Sequence, residues 1–338
     1  MKIIVTGGAG FIGCNAVKRY LDRGHAVVLV DDLSRRGADK NLEWLRKQGR
    51  FAFEKCDIRD WQRLGGVFRE HPDVDAVLHL AGQVAVTTSV QDPRKDFEVN
   101  ALGTFNVLEA VRKFAPEAAL LYASTNKVYG DLEDLGVGEV NGRYQLRGVQ
   151  GISEDQPLDF HSPYGCSKGA ADQYVRDYAR IYKLRTVSFR QSCIYGYRQF
   201  GIEDQGWVAW FTIATLLDKP ITIFGDGKQV RDVLFIDDLC ELYEAAVQRI
   251  EQVSGHVFNI GGGPSHQLSL LELLSRLENL SGKKVRPRFE GWRPGDQPVF
   301  VCDIAKAARE LDWTPRHSVD EGIEKLYRWV SENRELFQ

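Results

Sequence analysis

Tyr164 and Lys168 stand four residues apart in a long helical pattern, so both side chains lie on one helix face. A free tyrosine has a pKa of about 10, too high for a base at neutral pH. A lysine charge and a positive nicotinamide ring both favour tyrosinate and lower that value. Tyr164 can then take a proton from a substrate hydroxyl as a hydride leaves, and return it afterwards. Lys168 also suits a hydrogen bond to a nicotinamide ribose. Ser124 and Thr125 follow the apolar run Leu120–Ala123, where a hydroxyl at a strand end can face a substrate. Thr125 is read as the third catalytic member and Ser124 as its alternate or helper.

A cofactor site is written near the start of the chain. Gly7, Gly10 and Gly13 have the spacing G-x-x-G-x-x-G, between the apolar run Ile3-Ile4-Val5 and a helical pattern opening at Phe11 and Ile12. Glycines let backbone N–H groups approach a pyrophosphate with no Cβ in the way, and a helix N-terminus favours its charge. Asp31 ends the second strand at the spacing of an acid that binds adenosine ribose hydroxyls, with Asp32 behind it. These carboxylates repel a 2′-phosphate and favour NAD over NADP, although Arg35 and Arg36 follow closely and could accommodate one. Asp57 and Ile58 end the third strand, where an adenine ring can be contacted; a surface Asp starting a helix is the other reading.

The elements that must position these residues alternate. Candidate strands are Lys2–Thr6, Ala26–Val30, Phe51–Lys55, Ala76–Leu80 and Leu120–Ala123. Candidate helices are Phe11–Arg23, Asn41–Lys47, Trp61–Glu70, Phe97–Phe114 and Ser162–Tyr182. The alternation predicts an α/β fold, a Rossmann doubly wound parallel sheet that binds ligands beyond the carboxyl ends of its strands. A smaller mixed α/β lobe is expected to hold the substrate. The expected division is 1–190 for the cofactor, with a return segment near 232–258, and 191–231 with 259–338 for the substrate. The stretch Asp131–His161 is polar, Gly-rich and without a sustained period. It is read as part of the active-site rim.

Composition narrows the class. The 338 residues are 43% hydrophobic and 27% charged, as in a folded globular protein. A net charge of −3 with no basic block speaks against nucleic acid as a partner. No apolar run is long enough to span a bilayer, and Ile3 already enters a strand, leaving no room for a signal peptide. The six cysteines are scattered with no CxxC pair, which suits reduced thiols and a cytoplasmic location. No metal is expected.

The strings Thr6–Gly13, His79-Leu-Ala-Gly82, Val128-Tyr-Gly130, Ser162-Pro-Tyr-Gly165, Gly225–Asp232, Phe258–Gly262 and Arg293-Pro-Gly-Asp296 give the chain its resemblance to the extended short-chain dehydrogenases/reductases. Within these it resembles the nucleotide-sugar epimerases and dehydratases. Three narrower strings, Ser124–Leu132, Asp159–Tyr174 and Arg198–Trp207, resemble the members that act on CDP-linked deoxyhexoses. The resemblance implies tightly held NAD and inversion at C2 of a CDP-linked hexose through a 2-keto intermediate. Inversion at C4 of a UDP- or CDP-hexose is the alternative, which spacing alone does not separate. It also implies cofactor contacts from Leu80, Ala81, Gly82, Gln83 and Asn100, and a homodimer or homotetramer formed through the two long helices, where Ala170, Ala171 and Ala179 allow close packing.

For the substrate, arginine forks at Arg231 and Arg293 suit a diphosphate, with Gln229 and Asp296 beside them. Gln83, Thr125, Asn126, Lys127, Arg198 and Gln199 are the sugar candidates, and Trp207 and Trp210 suit packing on a ring. In related dehydratases an Asp-Glu pair follows the catalytic Thr; here those positions are Asn126 and Lys127, which disfavours elimination. Cys193 stands where many UDP-sugar enzymes carry an Asn, so an amide contact to the diphosphate is missing.

Overall fold

Seven short apolar runs pair side by side into one parallel sheet. The structure is a computed structural model that describes residues 1–132, 134–293 and 296–337. The strands are β1 (Lys2–Thr6), β2 (Ala26–Asp31), β3 (Ala52–Lys55), β4 (Ala76–His79), β5 (Ala119–Thr125), β6 (Thr186–Gln191) and β7 (Val257–Ile260). Their spatial order is β7-β6-β5-β4-β1-β2-β3, so the winding reverses between β1 and β4. A crevice opens at such a reversal, beyond the strands' carboxyl ends.

The strands read as continuous apolar runs because both faces of the sheet are covered. Ile3, Val5, Val27, Leu29 and Leu121 pack with Ala16, Val17, Leu42 and Leu239, from helices Phe11–Asp22, Ala38–Arg46 and Ile236–Gln248. Ile4, Val28, Val77, Leu120 and Tyr122 pack on the other face with Leu64, Val107, Val111 and Val175. Those come from helices Trp61–Glu70, Gly103–Phe114 and Ser162–Tyr182. The period of two along each strand thus feeds two separate helix layers.

Two elements differ from the sequence expectation. The helix expected over Phe97–Phe114 is interrupted. A short helix Pro93–Phe97 runs into a wide π-type turn, Glu98–Leu102, before the regular helix Gly103–Phe114. The stretch Asp131–His161 contains a hairpin, Val137–Val140 with Arg143–Leu146. Asn141 and Gly142 both take positive φ at its tip, the geometry that a two-residue turn between twisted strands requires. This hairpin seats on the distal part of the chain. Val137, Tyr144 and Leu146 pack on Val230, Val299 and Val301, and the Tyr144 hydroxyl donates to Asp226 at 2.7 Å.

That distal part has its own small sheet around Val230–Phe235. It pairs with Cys193–Tyr195, Gln267–Ser269 and Val299–Phe300, with helices Trp207–Leu216, Leu270–Ser281 and Val319–Glu332 nearby. No helix among the described residues is long and apolar enough to cross a membrane.

Candidate active site

The turn after β1 leaves a concave backbone surface. Gly7 has φ +69°, and a Cβ there would sit 2.7 Å from the backbone N of Ala81. A Cβ at Gly13 would overlap the Gly7 carbonyl, so the helix from Phe11 could not close onto the turn. Phe11 and Ile12 are half-buried against the core behind it. Asp31, 8% exposed, accepts the backbone N–H of Ala9 at 2.9 Å and of Leu33 at 2.8 Å. Burial pushes its carboxyl up, and these donors pull it back. A carboxylate has about four acceptor sites, so capacity remains for ribose hydroxyls. This cradle and acid fit the pyrophosphate and adenosine ribose of NAD.

The neighbouring cofactor candidates are more committed. Asp32 accepts Ser34 N–H and Oγ at 2.9 and 2.7 Å, and Arg35 donates to Gln205. Asp57 pairs with Arg59 at 2.6 Å, which outweighs burial and holds its carboxyl below the usual range. Ile58 is buried in the core, against Gly103, and its carbonyl accepts Asn106 Nδ2 at 2.9 Å. Leu80 N–H donates to Thr6 O at 3.0 Å, which keeps Leu80–Gly82 beside the glycine turn.

Tyr164 lies in the first turn of the helix Ser162–Tyr182, where Pro163 is compatible with the missing intrahelical bond. Its hydroxyl faces Thr125 at the end of β5, close enough for Thr125 to favour its ionised form. Ser124, one residue earlier, is buried on the side of Asp172 and has no well-formed hydrogen bond. Lys168 Nζ donates to Ala123 O at 2.6 Å and lies 4.3 Å from the Tyr122 ring centre.

The electrostatics correct the sequence expectation. Burial pushes Tyr164 up to about 12, with Thr125 pulling it down and Asp96 adding to the rise. Burial also pushes Lys168 down to about 7, against the pull of Asp172 and Asp96. Desolvation outweighs any help Lys168 gives, so the chain alone does not make tyrosinate. Its lysine is committed to a carbonyl instead.

Gln83 and Asn100 have their side chains engaged by protein partners. Gln83 Nε2 donates to Asp96 at 2.8 Å and to Ala85 O at 2.9 Å, while its Oε1 accepts Ala85 N–H. Asn100 Oδ1 accepts Gln83 N–H at 2.9 Å. Its Nδ2 reaches Gln83 O, Asp96 and Ser167 at 3.1 to 3.2 Å. Asp96 and Ser167 were not among the sequence candidates; their signal was only adjacency to Asn100 and Lys168.

The substrate candidates fall into separate groups. Lys127, Cys193, Arg231 and Asp296 converge: Arg231 donates to Asp296 at 3.1 Å, and both act on Lys127. Burial, then Arg231, push Lys127 down to about 8. Trp207 Nε1 donates to Cys193 Sγ at 3.4 Å, and Asn126 adjoins this group beside Thr125. Arg293 pairs with Asp204 at 2.8 Å and lies 3.8 Å from the Phe224 ring centre. Gln229 is held there by a bond from Nε2 to Phe224 O. Gln199 and Trp210 each keep one buried polar atom without a partner, Oε1 and Nε1.

Arg198 does not join either group. It takes φ +62°, and its guanidinium is stacked 4.3 Å from the Trp44 ring centre and 5.7 Å from that of Trp329. The left-handed backbone turns it toward Cys14 and the terminal helix.

Known proteins resemble this chain in sequence and fold. The chain is 47% identical to the CDP-paratose 2-epimerase of Salmonella typhi, over 98% of this chain and 99% of that one. The UDP-glucose 4-epimerase of Thermotoga maritima, solved with UDP-glucose, superposes with a TM-score of 0.85 at 30% identity, covering 99% and 100% of the two chains. The UDP-glucuronic acid 4-epimerase of Bacillus cereus, solved with UDP-glucuronic acid and NAD, gives 0.84 at 31% identity, covering 98% and 99%. Residues 3–261 match the NAD dependent epimerase/dehydratase family, and the chain belongs to that family.

Proposed function

We propose that this chain is an NAD-dependent epimerase that inverts C2 of a CDP-linked hexose. The approach of Tyr164 to Thr125 supports this reading, because it brings one titratable hydroxyl to the carboxyl edge of the sheet. Identity to a CDP-paratose 2-epimerase over almost the whole chain supports the nucleotide and the carbon.

NAD held by the Gly7–Gly13 turn and Asp31 would supply a reversible hydride acceptor and a positive ring charge that favours tyrosinate. Tyr164 takes the proton of the adjoining sugar hydroxyl and gives it back. Thr125 holds the tyrosine oxygen and the sugar hydroxyl in line. Lys168, fixed on Ala123 O, sits where it can add charge and a ribose contact. Asn126 and Lys127 supply no carboxylate for elimination. Arg231 and Arg293 anchor the diphosphate, so the sugar can turn while the nucleotide stays. The reading divides the chain into a cofactor part, 1–190 with the return through 232–258, and a substrate part, 191–231 with 259–338. β7 on the edge of the sheet supports the return segment.

A dimer fits the outer faces of the two long helices. Phe105, Tyr174, Ile181 and Tyr182 are exposed there, at 37% to 64%. Ala171 is instead buried in the core and Ala179 packs against Gly255, so the aromatic residues rather than the alanines would form the contact.

Proton NMR of the purified protein with CDP-paratose and no added cofactor tests the function. A new anomeric signal with C2-inverted couplings supports it. An unchanged spectrum from NAD-loaded protein rejects this substrate, and C4 inversion of a UDP-hexose in the same assay would give the alternative.

A further inference from the structure

Asp96 is 1% exposed and lies at the end of the short helix Pro93–Phe97, just before the π-type turn. Three side chains donate into its carboxylate: Ser167 Oγ at 2.5 Å, Gln83 Nε2 at 2.8 Å and Asn100 Nδ2 at 3.2 Å. The amide orientations are fixed, since Gln83 Oε1 and Asn100 Oδ1 each accept a backbone N–H elsewhere. Three donors and no acceptor suit an ionised carboxylate. No lysine, arginine or histidine forms an ion pair with it among the described residues.

Its neighbours are the catalytic groups. Ser167 precedes Lys168, and its Oγ lies 3.2 Å from the carbonyl of Tyr164. Asp96 acts electrostatically on Lys168, Tyr164 and Tyr122. The other groups facing Lys168 are balanced. Asp172 is neutralised by Arg190 at 2.9 Å, and His79 is held uncharged by burial. Burial pushes the Asp96 carboxyl up, while Ser167, Gln83 and the Lys168 charge pull it back, so Lys168 is the cation that its charge acts on.

We propose that Asp96 is a positioning residue that sets the protonation of the Tyr164–Lys168 pair, through its charge and through Ser167. The proposal rests on the epimerase reading. A negative charge favours the proton-bound form of both partners, so Asp96 keeps Lys168 cationic and holds the proton on Tyr164 until the cofactor's positive charge opposes it. Removing the charge weakens proton binding at both groups in the same direction. Both limits of the pH profile, set by Tyr164 and Lys168, then slide to lower pH.

The test is Asp96→Asn in the NAD-loaded protein, read by the pH profile of turnover and by titration of tyrosinate absorbance, taken as the difference from Tyr164→Phe. Expected are a slide of about one unit to lower pH in both readouts, and a KM for the nucleotide sugar changed by less than about twofold. A fall in kcat with neither readout moved shows a purely structural role and overturns the proposal. If no nucleotide sugar is turned over by the wild type, the function fails, and the absorbance titration still decides Asp96. If Asp96→Asn does not fold, Asp96→Ser replaces it; it also removes the charge, and both readouts move the same way. An unmoved titration there also overturns the proposal.

Discussion

The Tyr164 hydroxyl faces Thr125 across the end of β5, bringing a strand from the middle of the sheet to the first turn of the longest helix. Ser124, its neighbour in sequence, lies buried toward Asp172 instead. Adjacent strand residues point to opposite faces, so only one of two hydroxyls can serve the reaction.

Thr125→Val should lower kcat by about 100-fold, the usual scale of a contact to an acid/base group. Ser124→Ala should cost much less and leave the melting temperature intact, since its buried hydroxyl has no good partner to lose. Steady-state kinetics of the two variants check this. Equal losses would place both hydroxyls in the reaction.

Tyr164→Phe should lose about 100-fold or more in turnover while keeping its NAD, because the ring stays packed and only the proton carrier is gone. Release and chromatography of nucleotide from the purified variant give the second half of that statement. A variant as active as wild type would remove Tyr164 from the mechanism.

Asp172 and Arg190 form a buried ion pair at 2.9 Å, with Ser188 and Tyr129 completing their hydrogen bonds. Asp172→Asn leaves the Arg190 charge buried without its partner, at a cost of about 3 to 5 kcal/mol. Urea unfolding should show that loss in the midpoint. A change below about 1 kcal/mol would mean that solvent reaches Arg190 in solution.

His79 bridges Thr6 Oγ1 at 2.7 Å and Thr104 Oγ1 at 3.0 Å, and burial, aided by the Lys168 charge, holds its pKa down at about 3 against 6.5 for the free side chain. The unfolded chain binds the extra proton between these values. Stability is therefore intact above pH 6.5 and lost as pH falls toward 3, with a slope of up to about 1.4 kcal/mol per pH unit from this residue. His79→Gln should flatten that part of the stability curve; an unchanged slope would assign acid lability to the carboxylates alone.

Ile181→Asp should break the proposed dimer, because it puts a charge on a 64% exposed apolar position of the outer helix face. Light scattering of the variant should give a monomer. An unaltered mass would move the contact elsewhere on the chain.

Local spacing made much of this legible. Gly7, Gly10 and Gly13 mark a strand–turn–helix whose ends match closely, and the helix carrying Tyr164 and Lys168 runs from Ser162 to Tyr182 as its pattern indicates. The hairpin at Asn141-Gly142 is not read from the sequence, because the flanking residues are too polar to show clean alternation. Asp96 was hidden because its role depends on the widened turn at Glu98–Leu102, which brings it to Ser167 across a long sequence separation. Arg198 was misread for a backbone reason: a positive φ at a non-glycine residue reverses a side chain in a way that composition does not announce.

The seventh strand has a consequence for how the chain is made. β6 is buried along its whole length, yet the strand that covers its outer side, Val257–Ile260, is synthesised long after it. Until then, a nascent chain holding every catalytic residue presents an open row of backbone donors and acceptors on β6, a ready template for pairing with another chain. A fragment cut before Val257 would retain the chemistry's residues and aggregate. The late-made strand Val257–Ile260 thus acts as the cap of the sheet.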